Sequence, residues 1–273
     1  MKKPILSSLL LLSTVFAFGQ HKLTQIWESK EQLPVPESVL YVDQKSELYV
    51  SLIDGDGSAA DGKGGVAILN MDGTLKNPTW ITGLNAPKGM ALYKNHLYVA
   101  DINEVAVIDI QQGKVIEKIK MPNAVFLNDV TVDDYGKVYV SDTREGKIFV
   151  LNKNVPSLFM SEVPEVNGLR IIKGDLYAMA GKELWKIDEN KQKTIIAKGL
   201  ALGGDGLEPT ADGGFLVTCW GGLIYHITAE GEVSLLLDVQ GEINTADLGY
   251  NAKDRILYVP TFLSNSVVAY QLD

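Results

Sequence analysis

Glu37, Lys88, Asn128, Asn167, Asp205 and Ala246 hold the same place in six similar segments. The segments are Pro36-Glu37-Ser38-Val39, Pro87-Lys88-Gly89-Met90, Leu127-Asn128-Asp129-Val130, Val166-Asn167-Gly168-Leu169, Gly204-Asp205-Gly206-Leu207 and Thr245-Ala246-Asp247-Leu248. Five of the six residues are polar, whereas the position two later is always apolar. Polar groups gathered at one confined place must pair, bind water or hold a ligand. Two carboxylates and two amide oxygens suit a hard cation, with Ca²⁺ preferred and Mg²⁺, Mn²⁺ or Zn²⁺ as alternatives. Such an ion would offset the repulsion between Glu37 and Asp205. A water-filled, hydrogen-bonded plug accounts for the same polarity without a metal.

A repeat positions this column. Leu48-Tyr49-Val50, Leu97-Tyr98-Val99, Val138-Tyr139-Val140, Leu176-Tyr177-Ala178, Phe215-Leu216-Val217 and Leu257-Tyr258-Val259 start 49, 41, 38, 39 and 42 residues apart. A period near 40 built on β-branched and aromatic residues predicts a four-stranded propeller blade. No window after the first 19 residues carries the i, i+3, i+4 pattern of a helical repeat. The reading is all-β: a six-bladed β-propeller whose innermost strands line the channel, with the six column residues at one rim. The chain ends after a third strand, Ser266 to Tyr270. The missing outer strand of the sixth unit is therefore expected from Leu23-Thr24-Gln25-Ile26-Trp27, which closes the ring and buries two free edges.

Residues 1–19 read as a signal peptide: Lys2 and Lys3, an apolar run from Ile5 to Phe18, then Ala17-Phe18-Gly19 before the cut. The run is shorter than the roughly 20 residues of a bilayer span, and no later segment is apolar enough for one. Residues 20–273 are expected to form a single propeller domain in the periplasm or outside the cell. Cys219 is the only cysteine, so packing rather than a disulfide must hold the fold. Asp and Glu outnumber Lys and Arg by 34 to 25. That acidic surface repels phosphate backbones and argues against a nucleic-acid partner.

Taken in order, Glu37, Asn128-Asp129-Val130, Asn167-Gly168-Leu169 and Asp205-Gly206-Leu207 resemble the motifs of the gluconolactonase–regucalcin family of six-bladed propellers. The resemblance spans nearly all of residues 20–273. It implies one divalent cation held by Glu37, Asn167 and Asp205, a substrate contact from Asn128, and Asp205 as catalytic base. The family often has an Arg two residues before the substrate Asn. Here that position is Phe126, and Lys88 is the cation that could contact substrate in its place.

Other residues point elsewhere. His21 lies near the chain start, His96 in a turn and His226 on a third strand, so the sequence predicts no shared histidine site. Cys219 reads as packing. Trp220 could reach the rim. The segment Asp54 to Gly65 has Ala59 where a calcium helix-loop-helix needs Gly, so it reads as a mobile loop able to overhang the channel mouth. Two functions follow: a metal-assisted hydrolase of a small lactone or related ester, or a non-catalytic propeller that binds a small molecule or a protein at its rim.

Overall fold

The computed structural model describes residues 21–273; the expected leader, residues 1–19, lies outside the described residues. The first strand, β1 (Leu23–Glu28), precedes six repeating units. Unit 1 is β2 (Pro36–Val42), β3 (Glu47–Leu52), β4 (Gly64–Asn70) and β5 (Leu75–Leu84). Unit 2 is β6 (Pro87–Tyr93), β7 (His96–Asp101), β8 (Glu104–Asp109) and β9 (Lys114–Lys120). Unit 3 is β10 (Leu127–Val132), β11 (Val138–Asp142), β12 (Lys147–Asn152) and β13 (Val155–Met160). Unit 4 is β14 (Val166–Ile172), β15 (Asp175–Ala180), β16 (Glu183–Ile187) and β17 (Lys193–Lys198). Unit 5 is β18 (Leu207–Pro209), β19 (Phe215–Cys219), β20 (Leu223–Ile227) and β21 (Val233–Asp238). Unit 6 is β22 (Gly249–Asn251), β23 (Ile256–Pro260) and β24 (Val267–Leu272).

Each of the first five units is a four-stranded antiparallel sheet in chain order, and the sixth runs β22-β23-β24-β1. The fold is the six-bladed β-propeller expected from the repeat. Every Leu-Tyr-Val segment forms a second strand, where its apolar residues face the neighbouring blade. Tyr49 and Ile68 of blade 1 pack with Met90, Val99 and Ala106 of blade 2, for example. Each aliphatic or aromatic side chain buried this way contributes about 1.5–3 kcal/mol. The turns follow their sequences. Asp133 accepts the Tyr135 and Lys137 N–H groups, and Gly136 takes φ +83° where an added Cβ would strike the Tyr93 ring at 2.7 Å. No helix among the described residues is long and apolar enough to cross a membrane.

The ring closes through β1, which pairs antiparallel with β24 from Leu23↔Leu272 to Glu28↔Val268. On the inner side, Ser38 bridges Asp247 in parallel and joins blade 1 to blade 6. Trp27 on β1 packs under Gly73, whose Cβ would lie 2.5 Å from the indole. Deleting residues 20–29 exposes the whole edge of β24 and this packing. The expected loss of melting temperature is at least about 10 °C, several kcal/mol for a domain of this size. A melting curve that matches the full chain would show that β1 is not the closing strand.

Candidate functional site

The column residues are placed by irregular β pairing. In blades 1 to 4 the first strand's register against the second breaks at the column residue, between Pro36/Ser38, Pro87/Met90, Leu127/Val130 and Val166/Leu169. Such bulges take a residue out of the ladder and re-aim its side chain. In blades 5 and 6 the column residues stand just before β18 and β22 instead of on them. Their main chains still bond to the second strand, from Asp205 N–H to Thr218 O at 2.7 Å and from Ala246 N–H to Pro260 O at 3.1 Å. In blades 1, 3 and 5 a second-strand hydroxyl takes up the N–H that follows the column residue: Ser51 from Ser38, Ser141 from Asp129, Thr218 from Gly206.

Buried carboxylates shape the approach to two of these positions. Asp101, at the end of β7, accepts the N–H groups of Asn85 and Ala86, and Asp142, at the end of β11, accepts those of Val125 and Phe126. These bonds fold the incoming segments just before Lys88 and Asn128.

Glu37, Lys88, Asn128 and Asp205 are all buried, and Asn167 is partly so. Asn167 donates its Nδ2–H to Asp205 Oδ1 at 2.8 Å, which leaves its amide oxygen as an acceptor. Asn128 donates to Thr143 Oγ1 at 3.0 Å. Glu37 Oε2 is buried and has no hydrogen-bond partner. Burial, then the Asp205 charge, holds the Glu37 carboxyl well above its ordinary range, against a smaller opposing pull from Lys88. Burial and then Asp247 push Asp205 up to about 8, although its bond from Asn167 opposes the rise.

Lys88 does not bond to either carboxylate. Its Nζ donates to the carbonyls of Ala86 and Gly57, each at 2.9 Å, and stands 4.5 Å from the Phe126 ring centre. Gly57 belongs to the long segment between β3 and β4, so that segment does overhang the mouth. A second cation reaches it: Arg144, in the turn after β11, donates to Ser58 Oγ at 2.8 Å and lies 4.2 Å over the other contact of Lys88, the Phe126 ring. Nothing in the repeat marks Arg144, because it comes from a different strand connection. It places a guanidinium over the Phe126 ring, beside the Lys88 ammonium.

Beneath the column, the next residue of each unit forms a second layer: Ser38, Gly89, Asp129, Gly168, Gly206 and Asp247. Asp129 accepts the N–H groups of Val130 and Leu169, each at 2.6 Å, and Asp247 accepts from the Ser38 hydroxyl at 2.5 Å. The glycines leave room for this layer, since a Cβ at Gly89 would meet Asp129 Oδ1 at 2.3 Å. Arg170, paired with Glu208, lies below. The space between holds about 10 Å³, no more than one water needs. The channel is therefore plugged. The opposite mouth, a cavity of about 490 Å³ that includes Arg170 and Glu208, is a separate compartment.

Two expectations need correction. His96 opens β7 instead of lying in a turn, and His21 and His226 are not isolated: their rings meet at 4.4 Å. They lie far apart in sequence, and the closing strand alone brings His21 to blade 5. Cys219 is buried, with its thiol pushed up to about 12 by burial and then the Asp205 charge, as a packing residue should be. Trp220 is 45% exposed and packs edge-on against Phe262 at 5.5 Å.

No protein-family model and no curated sequence matches the chain. Solved structures do. A streptogramin B lyase superposes with a TM-score of 0.69 at 10% identity, over 93% of this chain and 98% of that one. A virginiamycin B lyase from Staphylococcus aureus, made catalytically inactive by one His-to-Ala change and holding quinupristin, gives 0.65 at 15% identity, over 93% and 100%. A gluconolactonase from Xanthomonas campestris gives 0.66 at 14%, over 93% and 91%. Likeness at these identities shows the fold. Residue roles must come from the site itself.

Proposed function

We propose that the chain is a metal-dependent hydrolase of a small lactone or related ester, acting at the mouth formed by Glu37, Lys88, Asn128, Asn167 and Asp205. Glu37 carries the reading. A buried carboxylate oxygen with no donor, beside a second carboxylate, is costly unless a cation or a proton offsets it. The donors around it are oxygens: Glu37, Asp205 and the free amide oxygen of Asn167. That set fits a hard divalent ion, Ca²⁺ first.

When bound, the ion supplies Lewis-acid polarisation of the substrate carbonyl. The protein's own groups do the rest. Asn128, held by Thr143, orients the substrate. Lys88, with two ammonium protons committed to carbonyls, has a third to offer an oxyanion or carboxylate. Arg144 and the overhanging segment narrow the entrance. Asp205, held by the Asn167 amide at the same mouth, is the carboxylate that takes the proton of the attacking water. The Lys2–Gly19 leader pattern supports a periplasmic or extracellular setting.

The lyase neighbours suggest a different class of reaction, and the inactive one was disabled at a histidine. His96 lies in blade 2 at the start of β7, and His21 and His226 meet at blade 5, so the five-residue mouth contains no histidine. This favours hydrolysis. The test is metal analysis of the purified protein, followed by pH-stat assay of aldonolactones with and without chelator. Chelator-sensitive acid release is expected. Absence of turnover with Ca²⁺, Mg²⁺, Mn²⁺ and Zn²⁺ in turn would move the protein to the ligand-binding class.

A further inference from the structure

We propose a second metal site, separate from the channel, in which His21, Asp212 and His226 bind a borderline transition ion, Zn²⁺ above all, and clasp the closing strand to blade 5. His21 immediately precedes β1. Asp212 lies in the turn between β18 and β19, and His226 on β20. One ligand atom from each of the three falls within 4.8 Å of the others. His21 Nε2 is 3.5 Å and His226 Nε2 3.9 Å from the same oxygen, Asp212 Oδ2.

The second observation is His226 itself. It is 4% exposed, yet its Nε2 is buried without a hydrogen-bond partner and is aimed at the Asp212 carboxylate. An unpartnered buried nitrogen costs free energy unless something meets it. Gly214 preserves the space around it, because a Cβ there would stand 2.9 Å from that nitrogen and 2.6 Å from Ile227 O.

Neighbouring groups already orient the ligands. Asp212 Oδ1 is held by the Thr210 hydroxyl and the Gly214 N–H, which leaves Oδ2 for the two rings. His21 Nδ1 faces the Asp273 carbonyl oxygen at 3.0 Å. The tautomer that donates there has its lone pair on Nε2, facing Asp212, as metal-bound imidazoles are usually arranged. The Arg255 guanidinium, 3.3 Å from His21 Nδ1, works against an added positive charge. The Asp212 carboxylate, which faces both rings, offsets it.

Two imidazoles and one carboxylate are three ligands of a tetrahedral site with one position left for water. Ca²⁺, which wants six to eight oxygens, is excluded by the donor set. The three contacts belong to blade 5 and to the segment leading into the outer strand of blade 6. Binding therefore stabilises closure of the ring, and it does not depend on the channel reading.

The experiment uses the chain from residue 20 to 273. With about 100 µM Zn²⁺, well above the dissociation constant expected of such a site, the melting temperature should rise by about 5 °C. His21→Ala and Asp212→Asn should each lose that rise and the single Zn²⁺ counted by equilibrium dialysis. Glu37→Gln should keep both, which separates this site from the channel. Should Asp212→Asn fold poorly, His21→Ala still decides, since His21 lies outside the strands. Co²⁺ should give visible ligand-field bands that His21→Ala removes. A wild type that does not bind Zn²⁺, or binding that survives His21→Ala and disappears in Glu37→Gln, would overturn the proposal.

Discussion

Glu37→Gln is expected to lower cation-dependent turnover by about a thousandfold, the several kcal/mol that a metal's charge stabilisation contributes. The same change should raise the melting temperature of the metal-free protein. Glu37 contributes a carboxylate with an unpartnered buried oxygen, beside Asp205. The amide replaces the ionisable group at similar volume and so removes the cost of neutralising a buried carboxylate there, and relief on the order of 2 kcal/mol is expected. Function and stability thus move in opposite directions, as they should at a site built for an absent charge. Calorimetric Ca²⁺ titration and chelator-treated melts measure the two effects. Wild-type Ca²⁺ affinity in the mutant would remove Glu37 from the ligand set.

The pH dependence follows from the same carboxylates. Burial raises Asp205 from its ordinary 3.8 to about 8 and Asp247 to about 6. Between the unfolded and folded values the native chain holds protons that the unfolded chain has released. Metal-free stability is therefore full below about pH 4 and falls as pH rises towards 8, by up to about 1.4 kcal/mol per pH unit for each proton involved. Saturating cation should reverse the slope over the upper part of that window, because deprotonation then completes the ligand set.

Much of this was legible in the sequence. The Leu-Tyr-Val recurrence marks six second strands because a buried strand between two blades tolerates few alternatives. The missing outer strand after Tyr270 required an N-terminal partner, and β1 is that partner. The polar column came from aligning the units. What stayed hidden depends on contacts between units. Arg144 reaches Ser58 across 86 residues, and nothing periodic marks it. Asp101 and Asp142 carry a local sign, an acid directly after Leu-Tyr-Val-Ala and Val-Tyr-Val-Ser, but their bonds to the preceding loop follow only from the fold. His21 and His226 meet because the ring closes on itself, so strand-by-strand reading kept them apart.

Lys88→Met is expected to separate substrate binding from cation binding. The wild-type ammonium anchors Gly57 and Ala86 through their carbonyls and lies over Phe126. Methionine keeps the bulk of the stem but frees the Gly57 carbonyl, and with it one attachment of the overhanging segment. The Arg144–Ser58 bond is then the remaining side-chain tether among these contacts. The substrate loses a charged donor as well. A charged hydrogen bond contributes about 1.5–3 kcal/mol, so KM for a lactone should rise by roughly 10- to 100-fold. Cation affinity should hold or increase, since the positive charge opposing a second cation near Glu37 is gone. Hydrogen exchange should quicken across residues 54–63 while the blades stay protected. The opposite pattern has an equally definite meaning. A mutant that melts lower, binds Ca²⁺ where the wild type does not, and leaves segment exchange unchanged would make Lys88 the resident counter-charge of Glu37 and Asp205. The mouth would then be a self-neutralised binding pocket, with no place for a metal.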